Sequence, residues 1–198
     1  MLEPYYSCVH EAGTDEAGRG CLAGPVTAAA VILPPDFTHP LLDDSKKLSA
    51  SRRTSLATLI REEAICFGIS HVSPQTIDRI NILKASILAM HQALDQLKTT
   101  PKAIAVDGNH FLTYRDISHQ CLIKGDGRFL NIAAASILAK TSRDQLMQEL
   151  HREYPNYQWD SNKGYPTLAH REALQRFGPT AYHRKSFRLL GDQLKIPF

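Results

Sequence analysis

Short apolar runs that stop at carboxylates limit the fold of this chain more than any other feature. Residues 12–16 read as a strand that ends in Asp15-Glu16, and residues 103–106 form a buried-strand run followed by Asp107-Gly108-Asn109. Residues 121–123 form a third short run, with Asp126 close behind. Aspartate is disfavoured within strands, and a buried unpaired carboxylate is costly, so these acids belong at the edge of a sheet. Residues 26–33 and 64–72 are two further strands, the first cut off by Pro34-Pro35, which donate no ladder hydrogen bond.

The intervening segments read as helices. Ser49 is placed as an N-cap for a helix through about Glu63. From Ile80, the residues Leu83, Ile87, Met90, Leu94 and Leu97 recur at steps of three and four, which predicts one helix with a buried stripe. Residues 130–150 open with an Ala- and Ile-rich stretch suited to close packing on a sheet, and residues 167–177 form a helix stopped by Gly178-Pro179. Three strands come first, then helices interleaved with two more strands. That order predicts an α/β fold, a mixed sheet with helices on its faces.

The chain has 198 residues, 43% of them hydrophobic, with 11 Gly and 11 Pro, a composition that excludes disordered and fibrous classes. A chain this long buries roughly 70% of its unfolded surface and needs no disulfide or zinc staple. The longest apolar stretch, residues 28–33, is far short of the roughly 20 residues that span a membrane. Met1-Leu2-Glu3-Pro4 puts an acid where a signal peptide needs a basic residue, so a soluble cytoplasmic protein with no membrane partner is expected. Cys8, Cys21, Cys66 and Cys121 form no C-x-x-C pair and the nine His form no H-E-x-x-H, which favours reduced thiols and oxygen ligands for any metal. Without repeats or linkers the chain is expected to be a single domain, about residues 1–150 forming a core and about 151–198 a basic extension. Residues 151–198 hold eight Lys/Arg against four Asp/Glu, a pointer to a polyanion partner that a solvated charged face would also produce.

Carboxylates converging on a sheet edge require a cation, and a hard ion such as Mg²⁺ or Mn²⁺ suits oxygen ligands. Two such ions roughly 3.5–4 Å apart would activate a water and stabilise the leaving oxygen in phosphodiester cleavage. Each acid alone also fits a turn or cap; Asp15, Glu16, Asp107 and Asp126 together favour a site. Neighbours on a strand point to opposite faces, so Asp15 and Glu16 should diverge unless the chain bends near Gly13 and Gly18 or one acid binds through its carbonyl. Gly18-Arg19-Gly20 lets a backbone approach a ligand without Cβ obstruction, although a lone G-x-G is also an ordinary turn.

The run Thr14-Asp15-Glu16-Ala17-Gly18-Arg19-Gly20, with Leu22-Ala23-Gly24-Pro25-Val26, resembles the opening of the bacterial type 2 ribonucleases H, the ribonuclease HII family. The likeness continues through Asp44-Ser45-Lys46-Lys47-Leu48-Ser49, Asp107-Gly108-Asn109, Lys124-Gly125-Asp126 and Ala134-Ala135-Ser136-Ile137-Leu138-Ala139-Lys140. It extends to Arg143-Asp144, Lys163-Gly164-Tyr165-Pro166-Thr167 and His183-Arg184-Lys185-Ser186-Phe187, in the family's order over nearly the whole chain. The resemblance implies a ribonuclease H-like fold: a central mixed five-stranded sheet flanked by helices, with a C-terminal helical extension. It also implies metal-dependent endonucleolytic cleavage of RNA in RNA–DNA hybrids and 5′ of ribonucleotides embedded in duplex DNA. The products would be a 3′-OH and a 5′-phosphate, and the role ribonucleotide removal in replication and repair.

Carried over by motif, Asp15, Glu16 and Asp107 resemble the metal-binding acids and Asp126 the fourth active-site acid. Gly18-Arg19-Gly20 resembles the loop that recognises the 2′-OH, and Tyr165 the tyrosine that packs on that nucleotide. Asn162 departs from the family, where many members carry His. Lys46, Lys47, Lys163, Arg184 and Lys185 are candidates to neutralise phosphates, each also readable as a surface charge. Ser136 and Lys140, one helical turn apart, face either the substrate backbone or ordinary packing. A small-molecule phosphatase would not require the basic extension, and a silent nucleic-acid-binding module would not gather acids. A monomer is expected. The ending Gln193-Leu194-Lys195-Ile196-Pro197-Phe198 resembles the short Gln-Leu-x-Leu peptides that dock on the bacterial sliding clamp; the alternative is that its apolar side chains close the protein's own core.

Overall fold

A computed structural model describes residues 2–40, 42 and 49–190. Five strands, β1 (Glu11–Ala17), β2 (Val26–Ile32), β3 (Cys66–Val72), β4 (Ala103–Asp107) and β5 (His119–Leu122), form one sheet ordered β3-β2-β1-β4-β5. β2 is antiparallel to both β1 and β3, whereas the β1–β4 and β4–β5 pairs are parallel. The helices are α1 (Ala50–Glu63), α2 (Pro74–Ile80), α3 (Ile82–Asp95), α4 (Leu130–Glu153), α5 (Trp159–Asn162) and α6 (Leu168–Phe177). This is the mixed five-stranded α/β architecture expected, and no strand boundary differs from its predicted place by more than two residues.

β2 is buried at every position because helices cover both of its faces. Ala29 and Val31 pack with Leu56 and Ile60 of α1 and Ala134 and Leu138 of α4, while Ala28 and Ala30 pack with Ala89 and Met90 of α3. Small side chains let the layers approach closely, most of all at Gly13 of β1. A Cβ there would overlap the backbone of Asn131 and Ile132 in the first turn of α4. The buried Asn131 exploits that approach: its Oδ1 accepts from the Leu33 N–H (2.9 Å) and its Nδ2 donates to the Glu11 carbonyl (2.9 Å). α4 is thereby fixed to the start of β1 and the end of β2, and its later turns follow β1 toward Asp15.

The helix predicted from Ile80 is α3, which starts at Ile82, and the short α2 that precedes it is an unpredicted element. Ser73 caps α2 by accepting from the Thr76 N–H (3.3 Å), and Asn81, at φ 68°, ends that helix and caps α3 through the Lys84 N–H (3.1 Å). This positive-φ, extended backbone (ψ 165°) is unfavourable for a residue with a Cβ, and the Asn81 side chain offsets it by replacing a lost backbone partner at the start of α3. Leu83, assigned to the buried stripe, is instead exposed. A third apolar cluster joins Leu22 and Ala23 to Met147, Trp159 and Leu174, seating α5 and α6 against the loop after β1. Among the described residues all four thiols are free, and no helix is long and apolar enough to cross a membrane.

Overpacking at the β1–α4 contact should be costly. Gly13→Ala is expected to destabilise the protein by about 1–3 kcal/mol. The check is a lower urea midpoint at unchanged slope. Gly20→Ala, whose Cβ would meet open space, is the control that leaves the midpoint near the parent value.

Candidate active site

The parallel register of β1 and β4 pairs Glu11 with Ala103 and continues to Thr14 with Val106. One step further it sets Asp15 beside Asp107, on the same face and at the carboxyl ends of both strands, where open α/β sheets bind ligands. Asp15 lies on the α4 face with Gly13; it hydrogen-bonds Ser136, and its Oδ1 accepts from the Glu16 N–H (2.7 Å). Asp107 Oδ1 accepts from the Gly125 N–H (2.8 Å), which fixes that carboxylate from β5's side. Glu16 is still paired with Ala28 in the sheet, yet it lines the same cleft as Asp15, and the chain leaves the sheet just beyond it, at Gly18 with φ +90°. The two acids expected to diverge therefore border one cleft.

Burial, with Glu16 and Asp107 adding repulsion, holds the Asp15 carboxyl well above the usual carboxylate range. Burial also raises Glu16, opposed by the Arg19 guanidinium 3.1 Å away and reinforced by Asp107. Two carboxyls that resist ionising beside the charge of a third acid fit a divalent cation, which removes the repulsion. Among the described residues no three Asp, Glu, His or Cys side chains are grouped so as to hold a metal ion by themselves. Mg²⁺ is usually bound through only one or two carboxylates, with waters and substrate phosphates completing its shell.

The acids line a cleft of about 510 Å³ with the 18–20 loop, Arg53, Ser136, Lys140 and Tyr165. Asp126 does not line it: it is buried in a single 3₁₀ turn (Gly125–Gly127), next to the residue whose amide holds Asp107. Tyr165 is 40% exposed, with the Lys140 ammonium 5.9 Å from its ring centroid. Lys140 also binds Asp144 Oδ1 (2.6 Å), and the other oxygen of that carboxylate lies 3.7 Å from Arg53. Asn162 accepts from the Gly164 N–H (2.8 Å) and donates to the Tyr157 carbonyl (2.7 Å), so it braces the turn before Tyr165.

Arg184 requires a correction. Expected at a phosphate, it is fully buried, and its Nη2, Nη1 and Nε donate to the carbonyls of Gly18 (2.7 Å), Arg19 (2.8 Å) and Gly24 (3.0 Å). Burial lowers its pKa to about 10, so it keeps its charge. Arg143 is equally buried and donates to the carbonyls of Pro25 (2.9 Å), Lys163 (2.8 Å) and Ala23 (3.0 Å). A Cβ on Gly18 would overlap the Arg143 guanidinium. Because trans peptides oppose C=O and N–H, turning the Gly18 and Arg19 carbonyls inward directs the Arg19 and Gly20 N–H groups away from Arg184. Lys163 lines a neighbouring groove with Arg53 and Asp144, and its ammonium donates to the Asp160 carbonyl. The Lys185 N–H donates to Asp78 (2.9 Å), tying the extension to α2. Lys46 and Lys47 lie outside the described residues. Sequence reasoning missed Arg53, which sits among the charges of an apparently solvated helix, and the structural role of Arg143.

The family model for ribonuclease HII matches residues 12–190. Ribonuclease HII of Christiangramia forsetii is 59% identical over 198 residues, covering 100% of both chains. The crystal structure of ribonuclease H2 from Pyrococcus horikoshii superposes with a TM-score of 0.76 at 23% identity, covering 90% of this chain and 93% of that one. Ribonuclease HII of Archaeoglobus fulgidus, solved as a complex with PCNA, gives a TM-score of 0.74 at 26% identity, covering 88% and 92%.

The raised Asp15 pKa has a definite sign. Since the folded state holds the proton more tightly than the unfolded state, the site is fully tolerated below the unfolded pKa and becomes a liability as pH rises through the folded value. Asp107→Asn keeps the oxygen that accepts from Gly125 and removes one charge. In EDTA it is expected to raise Tm near pH 8, by about 2–4 °C per kcal/mol relieved, with a smaller gain near pH 4. Thermal unfolding at both pH values is the check, and a lower Tm near pH 8 would refute the repulsion.

Proposed function

The chain belongs to the ribonuclease HII family, metal-dependent endoribonucleases of RNA–DNA hybrids, and from that premise we propose that the cleft at the ends of β1 and β4 cuts the RNA strand of hybrids and the phosphodiester 5′ of single ribonucleotides in duplex DNA. The observation that carries this assignment is the register of Asp15 beside Asp107, two carboxyls that need a cation, at the floor of a cleft walled by an inward-held glycine loop. Asp15, Glu16 and Asp107 would hold Mg²⁺ or Mn²⁺, with Asp126 as the fourth acid acting from the turn that fixes Asp107. Two bound ions supply Lewis-acid activation of water and charge stabilisation at the leaving oxygen. Hydrolysis by water leaves a 3′-OH and a 5′-phosphate.

The protein's own groups supply recognition. The Arg19 and Gly20 N–H groups suit a 2′-OH, the group that distinguishes ribose from deoxyribose, and the Tyr165 ring suits stacking on the same nucleotide. Arg19, Arg53 and Lys140 offer cations to the phosphates, and Ser136 steadies Asp15. In this reading the enzyme is a cytoplasmic monomer that removes ribonucleotides during replication and repair. Gln193-Leu194-Lys195-Ile196-Pro197-Phe198 lies outside the described residues and is proposed as a sliding-clamp peptide, in line with the Archaeoglobus enzyme's complex with PCNA. Binding of a peptide of residues 191–198 to the clamp tests it, and no binding refutes it.

The decisive assay is a duplex DNA with one ribonucleotide, incubated with Mg²⁺, Mn²⁺ or EDTA. Cleavage 5′ of the ribonucleotide is expected with either metal and none with EDTA. Asp107→Asn should lower the rate by at least about 10²-fold, and a retained rate at saturating Mg²⁺ would remove Asp107 from the site. Tyr165→Ala should slow cleavage at an isolated ribonucleotide more than within a long hybrid, by an amount equivalent to roughly 1–3 kcal/mol of stacking. Equal losses on both substrates would make Tyr165 structural.

A further inference from the structure

Two fully buried imidazoles face each other beside α6: the Nε2 atoms of His170 and His183 lie 3.1 Å apart. Each ring's proton is assigned by partners with only one possible role. His170 Nδ1 meets the Tyr165 carbonyl oxygen at 2.9 Å, which only accepts, so Nδ1 carries the hydrogen. Its Nε2 is therefore an acceptor, and the Trp159 indole N–H, which only donates, requires the same at 3.1 Å. His183 Nδ1 accepts from the Thr180 backbone N–H (2.9 Å), which leaves the hydrogen on Nε2, aimed at His170. The bonds run in one direction, from Thr180 through both rings to the carbonyl of Tyr165.

We infer that His170, backed by His183, is a positioning residue for ribonucleotide recognition: the two neutral rings fix the Tyr165 main chain so that its exposed ring is held at one place in the cleft. The inference rests on the reading of Tyr165 given above. The rest of that segment is held in the same manner. The Tyr165 carbonyl also accepts from the Thr167 N–H (2.8 Å), the Tyr165 N–H donates to the Asn162 carbonyl (2.9 Å), and the Gly164 carbonyl accepts from the Leu22 N–H (2.8 Å). The Tyr165 ring is 40% exposed and its hydroxyl meets the Cys21 side chain, and such an aromatic reads a substrate with specificity only when its backbone does not shift either. A further proton on His170 Nε2 would confront the Trp159 and His183 N–H groups, and one on His183 Nδ1 would confront the Thr180 N–H. Burial lowers both basicities, that of His183 to about 3 with His170 contributing, so the strut stays neutral where the enzyme works.

The test separates positioning from mere filling of space. Asparagine at position 170 puts an amide nitrogen where Nδ1 stands, whereas glutamine puts its amide near Nε2 and loses the bond to Tyr165. On a duplex with one ribonucleotide, His170→Gln is expected to lower kcat about ten- to a hundredfold, and on a long RNA–DNA hybrid to leave it within about twofold. His170→Asn, which keeps the bond to Tyr165 but loses the acceptor for His183 and Trp159, should fall clearly closer to the parent than His170→Gln on the ribonucleotide duplex. Equal losses in the two variants, or equal losses on the two substrates, would overturn the inference. Tyr165→Ala run in parallel distinguishes the failures: if it does not discriminate between substrates, the reading of Tyr165 fails, and if it does while His170→Gln does not, only the role of His170 fails. Long-range ¹H–¹⁵N correlation on the labelled parent protein should show Nδ1–H on His170 and Nε2–H on His183; the other tautomer on either ring refutes the strut. Should neither variant fold, the parent protein decides. In EDTA the ribonucleotide duplex should shift the His170 Nδ1–H resonance and an all-DNA duplex should not, and identical responses would overturn the inference.

Discussion

Burying a guanidinium is costly unless its nitrogens find acceptors, and here two of them place each nitrogen on a main-chain carbonyl. Arg184 reaches Gly18, Arg19 and Gly24; Arg143 reaches Ala23, Pro25 and Lys163. These six bonds give the loop after β1 its shape, attach it to α4, and join it to the turn that carries Tyr165. Both walls of the cleft thus hang on two side chains that touch no substrate.

The acids depend on the same framework in a different way. Asp15 is placed by β-sheet register and by α4, whose first turn is pressed onto Gly13 and whose next turns bring Ser136 to the carboxyl. Asp107 is placed by β4 and by the Gly125 amide.

Much of this was legible in the residues. The strands announced themselves through short apolar runs with abrupt ends, and Ser49 marked the start of α1, accepting from the Arg52 N–H at 3.4 Å. The seven residues of α2 are too few for a periodicity to register, although Ser73-Pro74 is itself a helix-start signal. α5 is a single turn, too short for any periodicity to register. The acids were visible as anomalies of composition, but the contact between Asp15 and Asp107 depends on strand pairing, which no local pattern specifies. Arg184 was misjudged for a related reason: a sequence gives a charge but not its burial, and carbonyl acceptors leave no mark in the residue types around them. Arg53 gave no signal at all, being one of many charges on α1.

Guanidinium groups that grip carbonyls are indifferent to which side chains those carbonyls belong to. Between Gly18 and Pro25 the chain is therefore free to drift in identity wherever conformation and packing allow, with no change in the path of the loop. Its length has no such latitude. Inserting or deleting one residue in that span would slide several carbonyls out of reach at once and leave two buried cations short of acceptors. Evolution of this segment should proceed by substitution and almost never by insertion, a constraint on spacing that comes entirely from the two arginines beneath it.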